Sequence, residues 1–260
     1  WLANDKAALS EYQGEGKMYE LAASKIYKVH PSVVTKEQRQ IGKVSELALS
    51  FGGGPDAFLS MAKNYGVKVP HAQAKDIVTK WRAGRPAVTA LWKEVERCAI
   101  QAHSAKGKPT YCCSKRVMMI TDPQKNLWIQ LPSSRYICLP RFNVAYEDGY
   151  YGPESVLSYA RGNWLPKKGV KEWPRATTYG GSLVESLAQG IARDLLAVTM
   201  DELSGYDIVL HVHDEAVIEC DEDEAEEVLS QMEGVMSIAP RWAKGLPLAA
   251  VGEISRRFGK

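Results

Sequence analysis

Residues 35–55 read TKEQRQIGKVSELALSFGGGP. Thr35 and Gln38 have the spacing of a capping box, in which each side chain hydrogen-bonds to the other residue's backbone N–H at the start of a helix. The glycine run before Pro55 is typical of the end of a helix. The stretch therefore predicts a helix that starts after Thr35 and runs to Phe51.

One side of this predicted helix carries two cations. With a rotation of 100° per residue, Arg39, Lys43 and Leu47 lie along that side of the helix, and Phe51 lies slightly further around it. The core stripe is expected on a different side, at Ile41, Val44 and Ala48. Cations at i and i+4 repel each other slightly, so the pair does not stabilise the helix. Beside a triphosphate the pair would form an electrostatic clamp, whereas the simpler interpretation is a solvated basic face.

The pattern outside this stretch predicts more helices and then strands. Helical spacing covers residues 56–65 and 71–105, and short strands are expected at 127–131 and 136–139. A second long helix is predicted to open around Gly180, with Ser182 and Glu185 at capping-box spacing, and to run to Leu203.

The C-terminal part predicts two strands, at 206–213 and 216–220, joined by Asp214 and Glu215 as a tight turn. An acidic amphipathic helix and a last strand-like piece over 246–253 follow. Helices followed by an antiparallel β platform with helices packed on it make an α+β fold.

Composition excludes several classes of protein. The chain has 260 residues, 45% of them hydrophobic and 25% charged, which is typical of a globular domain and not of a disordered or fibrous chain. Mean hydropathy is −0.28 and no apolar stretch approaches 20 residues, so we expect no membrane partner. Five cysteines without a C-x-x-C pair favour reduced thiols in a cytoplasm over a disulfide scaffold or a zinc site. The chain lacks an initiator Met, which suggests a piece of a longer protein.

Charge is distributed unevenly along the chain. Residues 97–174 contain 12 Lys/Arg and 5 Asp/Glu, whereas residues 201–233 contain 13 Asp/Glu and no Lys or Arg. The acidic part is interpreted as a solvated helix. The basic part also contains aromatic residues, a mixture suited to phosphate backbones and stacked bases, although it is equally typical of an ordinary surface. These aromatic residues are Tyr111, Trp128, Tyr136, Phe142, Tyr146, Trp164 and Trp173.

The predicted helix after Gly180 has a polar side that carries Glu185, Gln189 and Arg193. Gln and Arg on one edge of a helix can reach minor-groove acceptors or the sugar–phosphate backbone. The alternative is an ordinary amphipathic helix, whose apolar side would consist of Leu183, Leu187, Ile191 and Leu195.

Residues 211–215 read HVHDE between apolar strand residues. Adjacent carboxylates raise each other's pKa unless a cation is bound, and hard oxygen ligands suit Mg²⁺. One alternative is a solvated hairpin turn with two acids. Another is a metal-dependent hydrolase, in which His211 and His213 on one strand face hold a zinc or similar ion.

Taken together, these motifs resemble the C-terminal polymerase region of the A-family DNA polymerases, the group of bacterial DNA polymerase I, and in particular its phage members. Residues 38–52 are similar to the nucleotide-binding helix of the fingers, which reads R-x-x-x-K followed by aromatic positions. Residues 212–215 are similar to the palm motif whose Asp binds the catalytic metals, and residues 177–195 to the palm helix between them. Residues 131–135 and 240–248 are further phage-like matches.

The resemblance implies that the fingers helix binds the incoming dNTP. Arg39 would hold its outer phosphates and Lys43 would neutralise the phosphates around the reacting centre. Leu47 stands where the family usually has an aromatic residue near the sugar and base. Phe51, with Gly52 after it, would stack at the template side.

The resemblance places the remaining roles in the palm. Gln189 would contact the minor groove of the primer terminus, and Arg193 lies on the same DNA-facing edge. His213 would contact the primer end, Asp214 would bind Mg²⁺ and Glu215 would be auxiliary. The implied reaction is attack of a primer 3′-hydroxyl on the α-phosphate of a dNTP, assisted by two Mg²⁺ ions, with primer–template DNA and dNTPs as partners.

The resemblance also implies a division of the chain and a missing part. Residues 1–15 would be an edge helix of the palm, residues 16–178 the fingers with a β-rich insertion, and residues 179–260 the palm. The family's other metal-binding Asp would lie upstream of Trp1, as would the thumb and any exonuclease, and Asp5 is no substitute for it. We therefore expect an excised fragment or one half of a split polymerase in a bacterial or phage-infected cell. The competing hypothesis is a non-catalytic DNA-binding remnant.

Overall fold

The computed structural model describes residues 1–13, 17–149, 152–161 and 173–258, which form two compact units, Trp1–Leu187 and Ala188–Lys260. Trp164 of the basic stretch lies outside the described residues. The helices are α1 (Lys6–Gln13), α2 (Met18–Tyr27), α3 (Lys36–Leu49), α4 (Pro55–Asn64), α5 (His71–Gly84), α6 (Pro86–Ser104), α7 (Gly180–Glu202) and α8 (Ala225–Met236). The strands are β1 (Thr110–Cys112), β2 (Val117–Thr121), β3 (Leu127–Gln130), β4 (Tyr136–Leu139), β5 (Asn143–Gly149), β6 (Gly152–Ala160), β7 (Arg175–Thr178), β8 (Asp207–Val212) and β9 (Glu215–Glu219).

Helix α3 begins as its capping box predicts. Thr35 Oγ1 accepts from the Gln38 amide at 3.2 Å, and Gln38 Oε1 accepts from the Thr35 amide at 3.0 Å. The predicted stripe is also in the core, since Ile41 and Val44 are buried in one cluster with residues of α2, α4 and α5. The helix is therefore held by one side and presents the other to solvent.

Helices α2 and α3 approach each other closely at Gly42. A Cβ at this position would overlap the Tyr19 carbonyl oxygen of α2. Glycine is therefore required at Gly42 for steric reasons, and its lack of a side chain brings the α2 backbone against α3.

The predicted helix over residues 71–105 is wrong in one respect: it is two helices, α5 and α6, separated at Arg85. Arg85 has φ −130° and ψ 55°, which is not helical, and Pro86 follows it. A residue before proline is disfavoured in the helical region by a clash with the proline ring. The break places the Arg85 side chain inside the helical part of the first unit, α1–α6 (hereafter the helical unit), where Arg85 is 4% exposed.

Arg85 is neutralised by two carboxylates. Its guanidinium contacts Glu11 of α1 at 2.9 Å and Glu46 of α3 at 3.0 Å. Glu46 also accepts from Trp81 Nε1 at 3.1 Å, and Glu11 pairs with Lys25 of α2 at 2.8 Å. Burial works to lower the pKa of Arg85, but Glu46 and Glu11 outweigh it and raise that pKa above its ordinary value. Side chains of four helices, α1, α2, α3 and α5, thus meet around Arg85 in one ion network.

The strands at 127–131 and 136–139 are confirmed as part of a four-stranded antiparallel sheet of order β1-β2-β3-β4. One face of this sheet is buried, with Val117, Met119, Leu127 and Ile129 almost inaccessible, and the sheet packs on α6. A second sheet of order β5-β6-β7 follows in the chain, and its last strand leads into α7.

Helix α7 starts two residues before the predicted cap. Ser182 lies inside the helix, and its carbonyl accepts from Ser186 Oγ at 3.1 Å. The first-turn amide of Gly180 instead donates to Glu96 Oε2 of α6 at 2.7 Å. A side chain from a distant helix therefore supplies the cap that the local spacing assigned to Ser182.

The second unit contains the β8–β9 hairpin and α8, and two predictions there need correction. Val212 pairs with Glu215, so the turn consists of His213 and Asp214, and Glu215 belongs to β9. Residues 246–253 do not form a strand. Their backbone instead donates to side chains near α8: Gly252 to Glu233 Oε1 at 2.7 Å and Ala250 to Ser237 Oγ at 3.1 Å.

We expect Arg85→Met to lower the free energy of unfolding by about 3–5 kcal/mol, because it leaves Glu11 and Glu46 largely buried without their partner. Lys80→Met is the matched control, since Lys80 forms an exposed pair with Asp76 at 2.7 Å within α5. Its loss should cost less than about 1 kcal/mol. Urea denaturation of both variants measures the difference, and equal costs would contradict the central role of Arg85.

Candidate nucleotide and nucleic-acid site

The predicted cation pair lies on the solvent side of α3, next to aromatic rings. Arg39 is 5.3 Å and Lys43 is 5.9 Å from the centroid of the Tyr19 ring, and Lys43 is 4.8 Å from that of Tyr65. A cation over an aromatic face is attracted by the ring and keeps its charge, so these contacts orient both side chains without neutralising them. Arg39 and Lys43 therefore form one positively charged surface around Tyr19.

Arg39 also pairs with Glu20 of α2. Its Nε lies 2.7 Å from Glu20 Oε1, and the Arg39 side chain remains 46% exposed. Burial works to raise the pKa of Glu20, but the hydrogen bonds from Arg39 and the backbone, together with the charges of Arg39 and Lys17, outweigh it and lower that pKa. The Nε edge of the Arg39 guanidinium is therefore bonded to Glu20, while nearly half of the side chain is accessible to solvent.

Leu47 follows on the same side of α3 and is 41% exposed, whereas the prediction for Phe51 needs correction. Helix α3 ends at Leu49, so Phe51 lies in the turn that follows and not on the last helical turn. Gly52 closes this turn with φ +85°, and its amide donates to the Leu49 carbonyl at 3.0 Å. Phe51 is half-buried in this turn.

The turn after α3 is held by side chains from other elements. Trp92 Nε1 donates to the Ser50 carbonyl at 3.0 Å, and the Tyr179 hydroxyl donates to the Phe51 carbonyl at 3.2 Å. Arg82 Nη2 donates to the Gly53 carbonyl at 3.1 Å. These bonds satisfy backbone carbonyls of the segment that follows α3 and hold that segment in place.

A pocket of about 360 Å³ opens beside this turn. Its lining includes Gly52, Trp92, Tyr179 and the start of α7 at Gly180 and Gly181. Three cations, Arg82, Lys93 and Arg97, face one carboxylate, Glu96, which is bonded to the Gly180 amide. The pocket is thus a positively charged cleft with aromatic walls next to Phe51 and Gly52.

The polar side predicted for α7 is confirmed at two positions in the second unit. Gln189 and Arg193 are both exposed, one turn apart on the helix. The apolar side shifts around the helix as a 3.6-residue repeat requires, because Leu196 and not Leu195 is the next buried apolar residue after Ile191.

The β8–β9 hairpin displays His213 and Asp214 at its tip. His213 has φ +53° and both residues are accessible, while Glu215 is half-buried at the start of β9. Strand β8 ends at Val212, so His211 lies in the strand and His213 in the turn. The two histidines therefore do not share a strand face, which removes the geometric basis of the zinc hydrolase.

The donor types at the hairpin tip fit Mg²⁺. Mg²⁺ prefers carboxylate oxygens and commonly takes one or two of them together with substrate phosphates and water. Among the described residues, no group of three or more His, Cys, Asp or Glu is arranged to hold a metal ion. Asp214 and Glu215 thus have the chemistry to supply one or two oxygen ligands to Mg²⁺, but they do not form a complete coordination site.

Several residues that support the candidate sites were not predicted from the sequence. Tyr19 and Tyr65, which flank the cations, lie on α2 and at the end of α4. Arg82, Trp92 and Tyr179, which fix the turn after α3, lie 29, 42 and 128 positions from the residues they bond to. None of these separations belongs to the spacing of a motif. The sequence offers a local signal for one of these residues, Tyr179, because the two glycines that follow it are typical of a place where two backbone segments approach closely.

The chain is similar to known proteins both in sequence and in structure. The chain is 35% identical over 265 residues to the DNA polymerase of Bacillus phage SP02, covering 100% of this chain and 39% of the phage protein. It is also similar in structure to the POL domain of Pol1 from M. smegmatis in complex with DNA primer-template and dNTP. That match has a TM-score of 0.53 and 17% identity, and covers 95% of this chain and 34% of the other. No family model matches the chain.

The α+β fold of a DNA polymerase domain is therefore confirmed. The chain is similar over its whole length to part of a phage DNA polymerase, which confirms the predicted resemblance to a portion of a DNA polymerase. It spans about two fifths of the phage relative, 39% of its length. No helix within the described ranges is long and apolar enough to cross a membrane.

We expect Gly181→Ala to lower the free energy of unfolding by about 1–3 kcal/mol, because its Cβ would overlap the Phe51 carbonyl oxygen. The matched control is Gly234→Ala in α8, where a Cβ meets nothing within 4 Å. That change should stabilise by about 0.5–1 kcal/mol through helix propensity. Thermal unfolding of the two variants should give shifts of opposite sign, and equal shifts would refute the close approach at Gly181.

Proposed function

We infer that this chain is the nucleotide-binding and metal-binding part of a template-directed DNA polymerase, which adds dNTPs to a primer 3′-hydroxyl. The observation that carries this proposal is the cation surface of α3, where Arg39 and Lys43 stand one turn apart around Tyr19. The phage relative is named as a DNA polymerase, and the structural neighbour holds a primer-template and a dNTP.

Arg39 and Lys43 would bind the triphosphate of the incoming dNTP. A guanidinium binds phosphate oxygens with a rigid fork, and an ammonium acts as a point charge. Arg39 would exchange its contact with Glu20 for the outer phosphates, since a triphosphate carries more charge than one carboxylate. Lys43 would neutralise charge near the reacting phosphorus as the displacement proceeds.

Leu47 and Phe51 would contact the non-phosphate part of the reaction partners. Leu47 is exposed one turn after Lys43, which suits a contact with the sugar and base of the dNTP. Phe51 and Gly52 adjoin the positively charged pocket that contains Arg82, Lys93 and Arg97. We place the template strand at this pocket, with its phosphates on the cations.

Residues of the second unit would bind the primer. Gln189 and Arg193 are exposed on α7, where an amide and a guanidinium suit minor-groove acceptors and the backbone. His213 would contact the primer end beside Asp214. Bound Mg²⁺ supplies stabilisation of the attacking and leaving oxygens of an in-line displacement. Asp214 would ligate the metal, and Glu215 would assist from the start of β9.

An upstream polymerase segment would complete this metal site with a second Asp. The β8–β9 sheet supports the proposal because a two-stranded hairpin is marginal on its own. Within it, Val209 is 56% and Leu210 is 38% exposed, at a register shift of β8. We propose that these apolar side chains are covered by that segment, and that the complete protein acts in the cytoplasm of a bacterial or phage-infected cell.

The first test is dNTP binding by variants of α3. Arg39→Ala and Lys43→Ala should each weaken binding by about tenfold or more, because each removes a charge-assisted hydrogen bond to phosphate. Lys36→Ala is the control, since Lys36 is exposed on the same helix one turn before Arg39. Isothermal titration with a dNTP and Mg²⁺ measures the effect. Binding that is insensitive to Arg39 and Lys43 would refute the assignment of this helix.

The second test is primer extension on a primed template with Mg²⁺ and all four dNTPs, by the chain joined to its upstream segment. Asp214→Asn should lower the rate by about a hundredfold or more, since removal of a metal ligand takes away several kcal/mol of transition-state stabilisation. Asp207→Asn is the control, because Asp207 lies at the opposite end of the same hairpin. Extension that survives Asp214→Asn would exclude the metal role. Unchanged dNTP binding without any extension would favour the non-catalytic remnant.

A further inference from the structure

The four-stranded sheet has an outer face that no role described so far uses. Residues directly opposite in an antiparallel sheet point to the same face. The register pairs Tyr111 with Met118, Met118 with Gln130, and Gln130 with Tyr136, which forms one row across all four strands. A second row consists of Ile120, Trp128 and Cys138.

This outer face is aromatic and accessible, in contrast to the inner face on α6. Tyr111 is 57% and Tyr136 is 45% exposed. The rings of Trp128 and Tyr136 meet edge to face, with centroids 6.4 Å apart and planes at 81°. Trp128 Nε1 donates to Asp122 Oδ2 at 2.9 Å, which fixes the orientation of the indole. Two rings are therefore held in place on an exposed sheet surface.

A cationic pocket of about 410 Å³ lies in the same part of the chain. Lys125, Arg141 and Arg175 line it together with Gln124 and Asn143, and no carboxylate of the described residues lines it. The three cations are exposed. Arg175 is fixed by donation to the carbonyls of Arg141 at 3.1 Å and Ser158 at 2.9 Å. The pocket is therefore suited to an anion.

A short hydrogen-bond chain joins the aromatic face to the pocket. Asp122 Oδ2 accepts from Trp128 Nε1 and from Asn126 Nδ2, each at 2.9 Å. Asn126 Oδ1 accepts from the Arg141 amide at 3.0 Å. Burial works to raise the pKa of Asp122, but these hydrogen bonds outweigh it and lower that pKa, so the carboxylate accepts from both partners when ionised. Trp128 and the backbone of Arg141 are thereby held at a fixed separation.

The charge of the insertion, residues 106–178, favours a polyanion as the ligand. Outside residues 162–172, the insertion contains nine Lys/Arg and four Asp/Glu. Exposed aromatic rings next to a positively charged groove are the combination that binds single-stranded nucleic acid, with bases stacked on rings and phosphates on cations. A protein partner that covered only the apolar face would leave the three clustered cations of the pocket without a role.

We propose that the insertion binds single-stranded DNA, with bases stacked on Trp128 and Tyr136 and a backbone phosphate in the pocket of Lys125, Arg141 and Arg175. The proposal rests on the proposed function only in taking DNA as the polymer. The site is separate in sequence from the dNTP surface of α3 and needs neither dNTP nor metal. It gives the β-rich insertion a binding role of its own.

The test is fluorescence anisotropy of a labelled oligothymidylate of roughly 12 nucleotides, a length within the usual site size, in EDTA and without dNTP. Tyr136→Leu should weaken binding by about tenfold, because it removes a stacking surface, whereas Tyr136→Phe should bind as the unmodified chain does. Both changes are at an exposed side chain, and circular dichroism checks the fold of each variant.

The double variant Lys125→Gln with Arg141→Gln tests the pocket. It should weaken binding about tenfold and reduce the slope of log Kd against log salt by about 0.7 for each phosphate that is no longer neutralised. The control is Lys108→Gln with Lys115→Gln, which removes the same charge from exposed positions outside the pocket lining. Lys115 matches Lys125 in backbone conformation, with φ +66° against +65°.

Three results would overturn the proposal: equal effects of the two double variants, equal binding by Tyr136→Leu and Tyr136→Phe, or equal affinity for a duplex of the same length. The dNTP titration of the Lys125/Arg141 variant keeps this proposal distinct from the polymerase assignment. Normal dNTP binding with weakened oligonucleotide binding supports the insertion site. Loss of dNTP binding in this variant would count against a separate site.

Discussion

The guanidinium of Arg85 lies inside the helical unit between Glu11 of α1 and Glu46 of α3, and the arrangement of the helices depends on this contact. A buried charge without a partner is costly, so the two carboxylates must reach the same point from different helices. Trp81 donates to Glu46 and Lys25 pairs with Glu11, which adds α5 and α2 to the network. The position of α3, and with it the direction of its cation surface, follows from satisfying one arginine.

The turn that follows this C-terminal end of α3 is fixed by a second set of contacts, which link it to the start of α7. Trp92 and Tyr179 donate to the carbonyls of Ser50 and Phe51, and Gly181 allows the two backbones to approach. The cation surface of Arg39 and Lys43 therefore lies on a helix whose C-terminal end is held by several other elements, and the positively charged pocket opens beside the turn that follows.

Local patterns in the sequence predicted the features that depend on local chemistry. The capping box of Thr35 and Gln38, the buried stripe at Ile41 and Val44 and the strands of the insertion were all confirmed. Two of the features that were wrong depend on distant residues: the cap of α7 comes from Glu96, and residues 246–253 bond to side chains near α8. The helix break at Arg85 is marked locally by Pro86, and only the burial of Arg85 between Glu11 and Glu46 depends on distant residues. No spacing within those segments carries information about such partners, and for the same reason Tyr19 and Tyr65 were not predicted.

The cap of α7 also bears on the order in which the chain can fold. Glu96 is 84 residues before the Gly180 amide that it accepts from, so the contact forms only after a long loop has closed. Until α6 is in place, the first turn of α7 lacks this acceptor and its amides are open to exchange with solvent. The amides at the start of α7 should therefore become protected from hydrogen exchange at the same time as those of α6, although the two segments are far apart in sequence. Assembly of the long helix that carries Gln189 and Arg193 is in this way a late, nonlocal event.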